Sequence, residues 1–124
     1  MKAAVVCIGT ELNLGLIINT NAAYISEKLA ENGIECNLIV TIEDNEADIS
    51  NALNYSISQS DLIIISGGLG PTDDDITRKA VSDTLGLKLY KNNRLDISSL
   101  KFLKKVLTAD LKTRLLRQSY ICLL

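Results

Sequence analysis

The sequence predicts an α/β protein: a mainly parallel sheet with helices on both faces. Three observations predict it. Residues 3–8 and 62–65 are short apolar runs without polar alternation, as strands covered on both faces require. The stretches that follow carry apolar residues at helical spacing behind Asn, Asp or Thr capping types. Strands and helices also alternate, β-α-β-α-β-α-β, an order that right-handed crossovers convert into parallel pairs.

The elements follow in turn. Residues 3–8 form the first strand. Asn19, Thr20 and Asn21 can cap a helix bearing Ala22, Ile25 and Leu29, which Gly33 stops. Ile34, Cys36, Leu38, Val40 and Ile42 alternate with polar residues, so they are expected on one face of a half-buried strand. Asp44 or Asn45 can cap a second helix carrying Ile49, Leu53 and Ile57. After the strand at 62–65 comes a glycine-rich turn, then a helix with Ile76, Ala80 and Leu85 ending at Gly86. Residues 87–90 read as a fourth short strand.

Composition narrows the chemistry. There is no histidine, which excludes Ser-His-Asp and Cys-His catalysis and His-ligated metals. Cys7, Cys36 and Cys122 form no close pair, so core or tail thiols in a cytoplasmic protein are expected. No run reaches the ~18 apolar residues of a membrane helix. The apolar start is read as a buried strand, not a leader, because Glu11 follows it. The net charge of −2 argues neither for nor against nucleic acid, and no nucleic-acid partner is expected.

In parallel sheets ligands sit beyond the carboxyl ends of the strands. Two connections qualify there, residues 9–21 and 66–75. In the second, Gly67, Gly68, Leu69, Gly70, Pro71 and Thr72 lead into Asp73, Asp74 and Asp75. Glycines let backbone N–H groups approach a ligand, and a following helix adds partial positive charge. The Gly-Lys-Ser/Thr ending of a P-loop is missing, and Gly68-x-Gly70 is a poor dinucleotide fingerprint. One or two acids suit a helix start, with Thr72 as cap and Asp75 completing a capping box. Three adjacent carboxylates would repel one another and a phosphate. A hard cation resolves both repulsions; alternatively one carboxylate accepts hydrogen bonds from a base or sugar. In the first connection Gly9, Thr10 and Glu11 follow a strand, Gly15 permits a turn, and Asn19 and Asn21 enter a helix. Capping accounts for an Asn there but not for Glu11.

These two motifs, GTELNLG…NTNAAYISEKLAENGI and SGGLGPTDDDIT, closely resemble the amino-terminal domain of the competence-damage-inducible CinA proteins, within the molybdopterin-binding superfamily. The resemblance covers residues 1 to about 90 and implies a three-layer α/β/α fold. It implies that Gly67, Gly68, Gly70, Asp75 and Thr77 hold a pterin or nucleotide, with Glu11 and Asn21 on the facing loop. It also implies metal-dependent hydrolysis of ADP-ribose to AMP and ribose 5-phosphate. On that reading Asp74 and Asp75 are catalytic, and Asp73, Asp74 and Asp75 hold Mg²⁺, Mn²⁺ or Co²⁺. Gly9, Thr10, Glu11, Asn19, Asn21, Gly67–Thr72 and Thr77 line the substrate. Molybdopterin is the alternative ligand, with a role in molybdenum cofactor assembly; an inactive remnant is the third possibility.

The tail differs. Residues 1–90 carry 5 basic and 13 acidic side chains, whereas residues 91–124 carry 8 and 2 and contain neither Gly nor Pro. Leu100, Leu103, Leu107, Leu111 and Leu115 suggest a basic amphipathic helix. The expectation is a shortened or frameshifted CinA-like domain at 1–90 without the family's amidase domain, and a helical tail at 91–124 unrelated to the parent. Faces left uncovered by that loss would favour a homo-oligomer.

Overall fold

The computed structural model of the protein describes residues 1–68, 75–86 and 120–123. Its elements run β1 (Lys2–Ile8), α1 (Thr10–Asn13), α2 (Thr20–Glu31), β2 (Glu35–Ile42), α3 (Glu46–Gln59), β3 (Leu62–Ser66), α4 (Asp75–Leu85) and β4 (Tyr120–Leu123). The sheet order is β2-β1-β3-β4, and every neighbouring pair is parallel.

The two doubly apolar runs became the central strands, β1 and β3. Alternate residues along them serve opposite faces. Ala4, Val6, Ile8, Ile63 and Ile65 pack beneath α3 and α4, against Ile49, Ala52, Leu53, Ala80 and Val81. Ala3, Val5, Cys7, Leu62 and Ile64 pack beneath α2, against Ala22, Ile25 and Leu29. Helices therefore cover both faces, giving the expected three-layer α/β/α arrangement. The helix starts follow from capping. Asn19 Oδ1 accepts the Ala22 N–H at 3.0 Å, and Asn45, rather than Asp44, accepts the Asp48 N–H at 2.9 Å. Gly33 and Gly86, at φ of 73° and 63°, end α2 and α4.

Three features depart from the sequence expectation. The alternating residues of β2 do not share a face. Ala3 pairs with Cys36 but Ala4 pairs with Leu38, leaving Asn37 as an extra residue. Ile34 and Cys36 consequently lie on the α2 side, while Leu38, Val40 and Ile42 lie on the α3/α4 side. A one-residue insertion inverts every later side chain. Asn37 is held by its Nδ2, which donates to the Gln59 carbonyl at 3.2 Å, and by Ser60 Oγ, which donates to its Oδ1 at 2.8 Å.

The second departure is α1, a single helical turn within the stretch read as a loop. Its first N–H groups fold back on Gly9: Leu12 and Asn13 both donate to the Gly9 carbonyl at 3.1 Å. The third is β4. Residues 120–123, read as the end of a helical tail, form a strand beside β3. Tyr, Ile, Cys and Leu suit a strand, and β3 would otherwise present an open edge. The expected strand at 87–90 and the leucine stripe at 100–115 lie outside the described residues.

Candidate functional site

The chain passes from β1 through α2 to β2, then returns through α3 to β3 on the other side of β1. Strand order reverses between β1 and β3, so the crevice beyond their carboxyl ends is the natural ligand position. Both sequence-predicted connections open there, one after Ile8 and one after Ser66.

The first connection is tied down by hydrogen bonds. The Gly9 N–H donates to the Ile42 carbonyl at 3.0 Å, fastening the loop to the end of β2. Asn13 Nδ2 reaches Glu43 Oε1 at 3.4 Å, and Asn19 Nδ2 reaches Thr41 Oγ1 at 3.3 Å. Asn19 therefore spends its oxygen on a helix cap and its amide on β2. Thr10 and Glu11 are exposed on α1. Glu11 curls back over Gly9, so that a Cβ on Gly9 would lie 2.7 Å from its Oε1. Leu14, Leu16, Ile17 and Ile18 are exposed on the same loop. Beneath it, burial pushes the Cys7 thiol up, against the lowering effect of a hydrogen bond with Asn19.

The second connection is held by backbone packing. Gly67 has φ 100°, and a Cβ there would lie 2.1 Å from the Ile8 carbonyl oxygen. Gly68 has φ 64°, and its Cβ would lie 2.2 Å from Thr77 Oγ1 and 3.4 Å from Ile8 Cγ2. The turn thus lies directly on the end of β1 with no room for a side chain, as a backbone that presents amides to a ligand should. Asn21 Nδ2 donates to Ser66 Oγ at 3.3 Å, joining the start of α2 to the end of β3. Thr77, expected to contact the ligand, is wholly buried in α4 beneath Gly68.

The structure thus brings Gly9, Thr10, Glu11, Asn19, Asn21, Gly67, Gly68 and Thr77 to one edge of the sheet. Leu69, Gly70, Pro71, Thr72, Asp73 and Asp74 lie outside the described residues, and Asp75 is described only as the backbone that opens α4. Sequence reasoning missed Ser66. Its signal was available: it is the polar end of an otherwise apolar strand, immediately before the glycines. Among the described residues no cluster of acidic or thiol groups could hold a metal ion, so the side chains in view do not by themselves build a metal site. No described helix is long and apolar enough to cross a membrane.

Comparison with known proteins places this geometry. The model of the probable molybdopterin binding domain matches residues 4–123. A competence-damage inducible protein of Thermoanaerobacter pseudethanolicus is 45% identical over 106 residues, 86% of this chain and 26% of that protein. A CinA-like protein of Pseudothermotoga lettingae is 44% identical over 93 residues, 75% of this chain and 23% of that protein. The chain therefore spans about a quarter of the length of the curated relatives it matches. Among solved structures, the protein CinA from Thermoplasma acidophilum superposes with a TM-score of 0.69 at 34% identity, covering 73% of this chain and 54% of that one. The molybdopterin biosynthesis enzyme MoaB of Thermus thermophilus gives 0.62 at 18% identity over 96% and 70% of the two chains, a likeness of fold. Sequence and fold agree, and the chain belongs to the probable molybdopterin binding domain family, among relatives named as competence-damage inducible and CinA-like proteins.

Proposed function

We propose that the crevice between β1 and β3 binds a phosphate-bearing ligand on the backbone of the Gly67–Gly68 turn, and that its reaction is hydrolysis of an ADP-ribose-type pyrophosphate. The observation that carries the reading is the turn itself. Two consecutive glycines at positive φ lie against the end of β1, at the switch point of a parallel sheet. Glu11 and Asn21 would contact the sugar or base from the facing loop. The charge of a pyrophosphate would be offset at Asp73, Asp74 and Asp75 with a divalent ion (Mg²⁺, Mn²⁺ or Co²⁺), which would also activate water. The setting is cytoplasmic. Self-association belongs to the same reading and is supported by exposed Leu14, Leu16, Ile17 and Ile18.

A second reading, a module that binds molybdopterin without a metal, is supported by the family's description and by a named relative. A molybdopterin biosynthesis protein from Mycobacterium abscessus superposes with a TM-score of 0.62 at 28% identity over 66% of this chain.

Turnover and binding of ADP-ribose and molybdopterin, with EDTA or with each divalent ion, separate the two. On the first reading ADP-ribose hydrolysis stops on chelation and returns with a hard ion. Metal-free nucleotide binding is weak and tightens in Asp74→Asn, because a like charge is removed. Asp75→Ala abolishes binding at a stability cost of about 1 kcal/mol or less. Tight metal-free nucleotide binding that Asp74→Asn leaves untouched ends the metal-dependent reading. Molybdopterin binding indifferent to EDTA, without ADP-ribose turnover, establishes the second.

A further inference from the structure

One buried hydroxyl at the crevice makes no hydrogen bond to the described residues around it. Thr77 is the third residue of α4 and is 0% exposed, and its Oγ1 has no hydrogen-bond partner among the described residues. Nearly all buried polar side-chain atoms find a partner, and an unpaired one is unfavourable. Valine would fill the same volume without that penalty. The hydroxyl is also aimed at one place, since a Cβ on Gly68 would lie 2.2 Å from Thr77 Oγ1. It therefore lies directly under the turn to which the anion is assigned.

Peptide geometry supplies the connection. A peptide unit is planar and trans, so its N–H and C=O point in opposite directions. If an amide of the turn points its N–H outward at an anion, the carbonyl of that unit points inward, to the side of the turn on which Thr77 lies. Glycine accepts the required rotation on either side of φ zero. We propose that Thr77 is a positioning residue of the anion-binding turn. When an anion is bound, its hydroxyl donates to the inward carbonyl of the Gly67–Gly68 backbone, a bond not formed in the structure itself, and so holds the orientation in which the amides face the ligand. The hydroxyl acts through Gly68 and does not touch the ligand. This inference rests on the anion-binding part of the proposed function and is independent of the hydrolysis.

The test uses the 124-residue chain with inorganic pyrophosphate as the probe, titrated calorimetrically against wild type, Thr77→Val, Thr77→Ala and Thr77→Ser. Thr77→Val and Thr77→Ala should bind pyrophosphate about tenfold more weakly, the worth of one hydrogen bond. Thr77→Ser, which keeps the hydroxyl, should bind within about twofold of wild type. Thermal melting gives a readout that a merely structural role would move differently. Thr77→Val should melt no lower than wild type, and up to roughly 3 °C higher, because an unpaired buried hydroxyl is gone. Affinity and stability thus move apart in that variant. Wild-type affinity in both Thr77→Val and Thr77→Ala overturns the proposal. So does weakened binding in Thr77→Ser together with a lower melting temperature, and so does wild type that fails to bind pyrophosphate. If Thr77→Val does not fold, Thr77→Ala and Thr77→Ser decide by the same criterion. Absence of ADP-ribose turnover alongside the expected pyrophosphate affinities would end the hydrolytic reading and leave the role of Thr77 standing.

Discussion

The loop after β1 and the turn after β3 leave the same edge of the sheet and keep their shapes by different means, hydrogen-bond tethers in one and close packing in the other. The loop is tethered by hydrogen bonds: the Gly9 N–H to the Ile42 carbonyl, Asn13 to Glu43 just past β2, and Asn19 to Thr41 in β2 and to the start of α2. The turn is held by close packing of its glycines, Gly67 on the Ile8 backbone and Gly68 on the Thr77 and Ile8 side chains. Hydrogen-bond tethers allow a segment to vary without losing its place. Close packing allows less translation, which an amide cradle needs, because the amides must stay where the ligand expects them. Glycine tells the two regions apart. Gly15 in the loop and Gly67 in the turn both have positive φ, but only Gly67 is surrounded.

Gly67→Ala should therefore have the largest effect. Its Cβ would lie 2.1 Å from the Ile8 carbonyl oxygen and 3.1 Å from the carbonyl carbon, at φ 100°. Neither atom can swing aside, so the turn or the end of β1 must shift, at about 2 to 4 kcal/mol. Gly15→Ala meets nothing within 4 Å and bears only the left-handed backbone term, about 1 kcal/mol. Urea unfolding of the two variants measures both, and equal losses would break the comparison.

A smaller effect sharpens it within the loop. Asn19 makes two bonds that hold the fold, whereas Asn21 is exposed and makes one at 3.3 Å to Ser66. Asn19→Ala should cost about 1 kcal/mol, the value of an N-cap. Asn21→Ala should cost less, about 0.5 kcal/mol, as one long, part-buried hydrogen bond does. Thermal unfolding gives the ranking, and the reverse order would assign the tethering to Asn21.

The same contrast explains what the sequence could disclose. The central strands were legible because a strand buried on both faces leaves a run of Ala, Val and Ile that admits few other readings. The helix ends were legible because Asn19, Asn45, Gly33 and Gly86 have local chemistry that needs no partner elsewhere. The bulge at Asn37 was not, since its cause is a contact with Gln59 and Ser60, more than 20 residues away. Nor was β4, whose reason for being a strand is the edge of β3. At the site, the glycines announced a close approach without saying to what. Only the fold shows that Gly67 meets Ile8 and Gly68 meets Thr77. The motif that singled out Thr77 did not disclose its burial, because burial depends on what α4 packs against.

The last expected effect concerns pH, is confined to alkaline conditions, and returns to the loop. Cys7 is 1% exposed beneath it, and burial raises the thiol above its ordinary 9.0, with the Asn19 hydrogen bond partly opposing the rise. The folded protein therefore holds the proton longer than the unfolded chain does. The resulting stability is fully present below pH 9.0 and is lost as pH rises through the folded value. The unfolded state then binds fewer protons, so the slope is negative and at most about 1.4 kcal/mol per pH unit. Other groups titrate in this range, so the informative quantity is a difference. Unfolding free energies of wild type and Cys7→Ala, measured by urea on both sides of pH 9.0, should diverge less at the higher pH, where wild type has lost its thiol contribution. Asn19→Ala removes the lowering partner and should carry the loss to higher pH. A constant difference between wild type and Cys7→Ala across the range would show that the thiol titrates alike in both states, and that the loop does not seal the strand end beneath it.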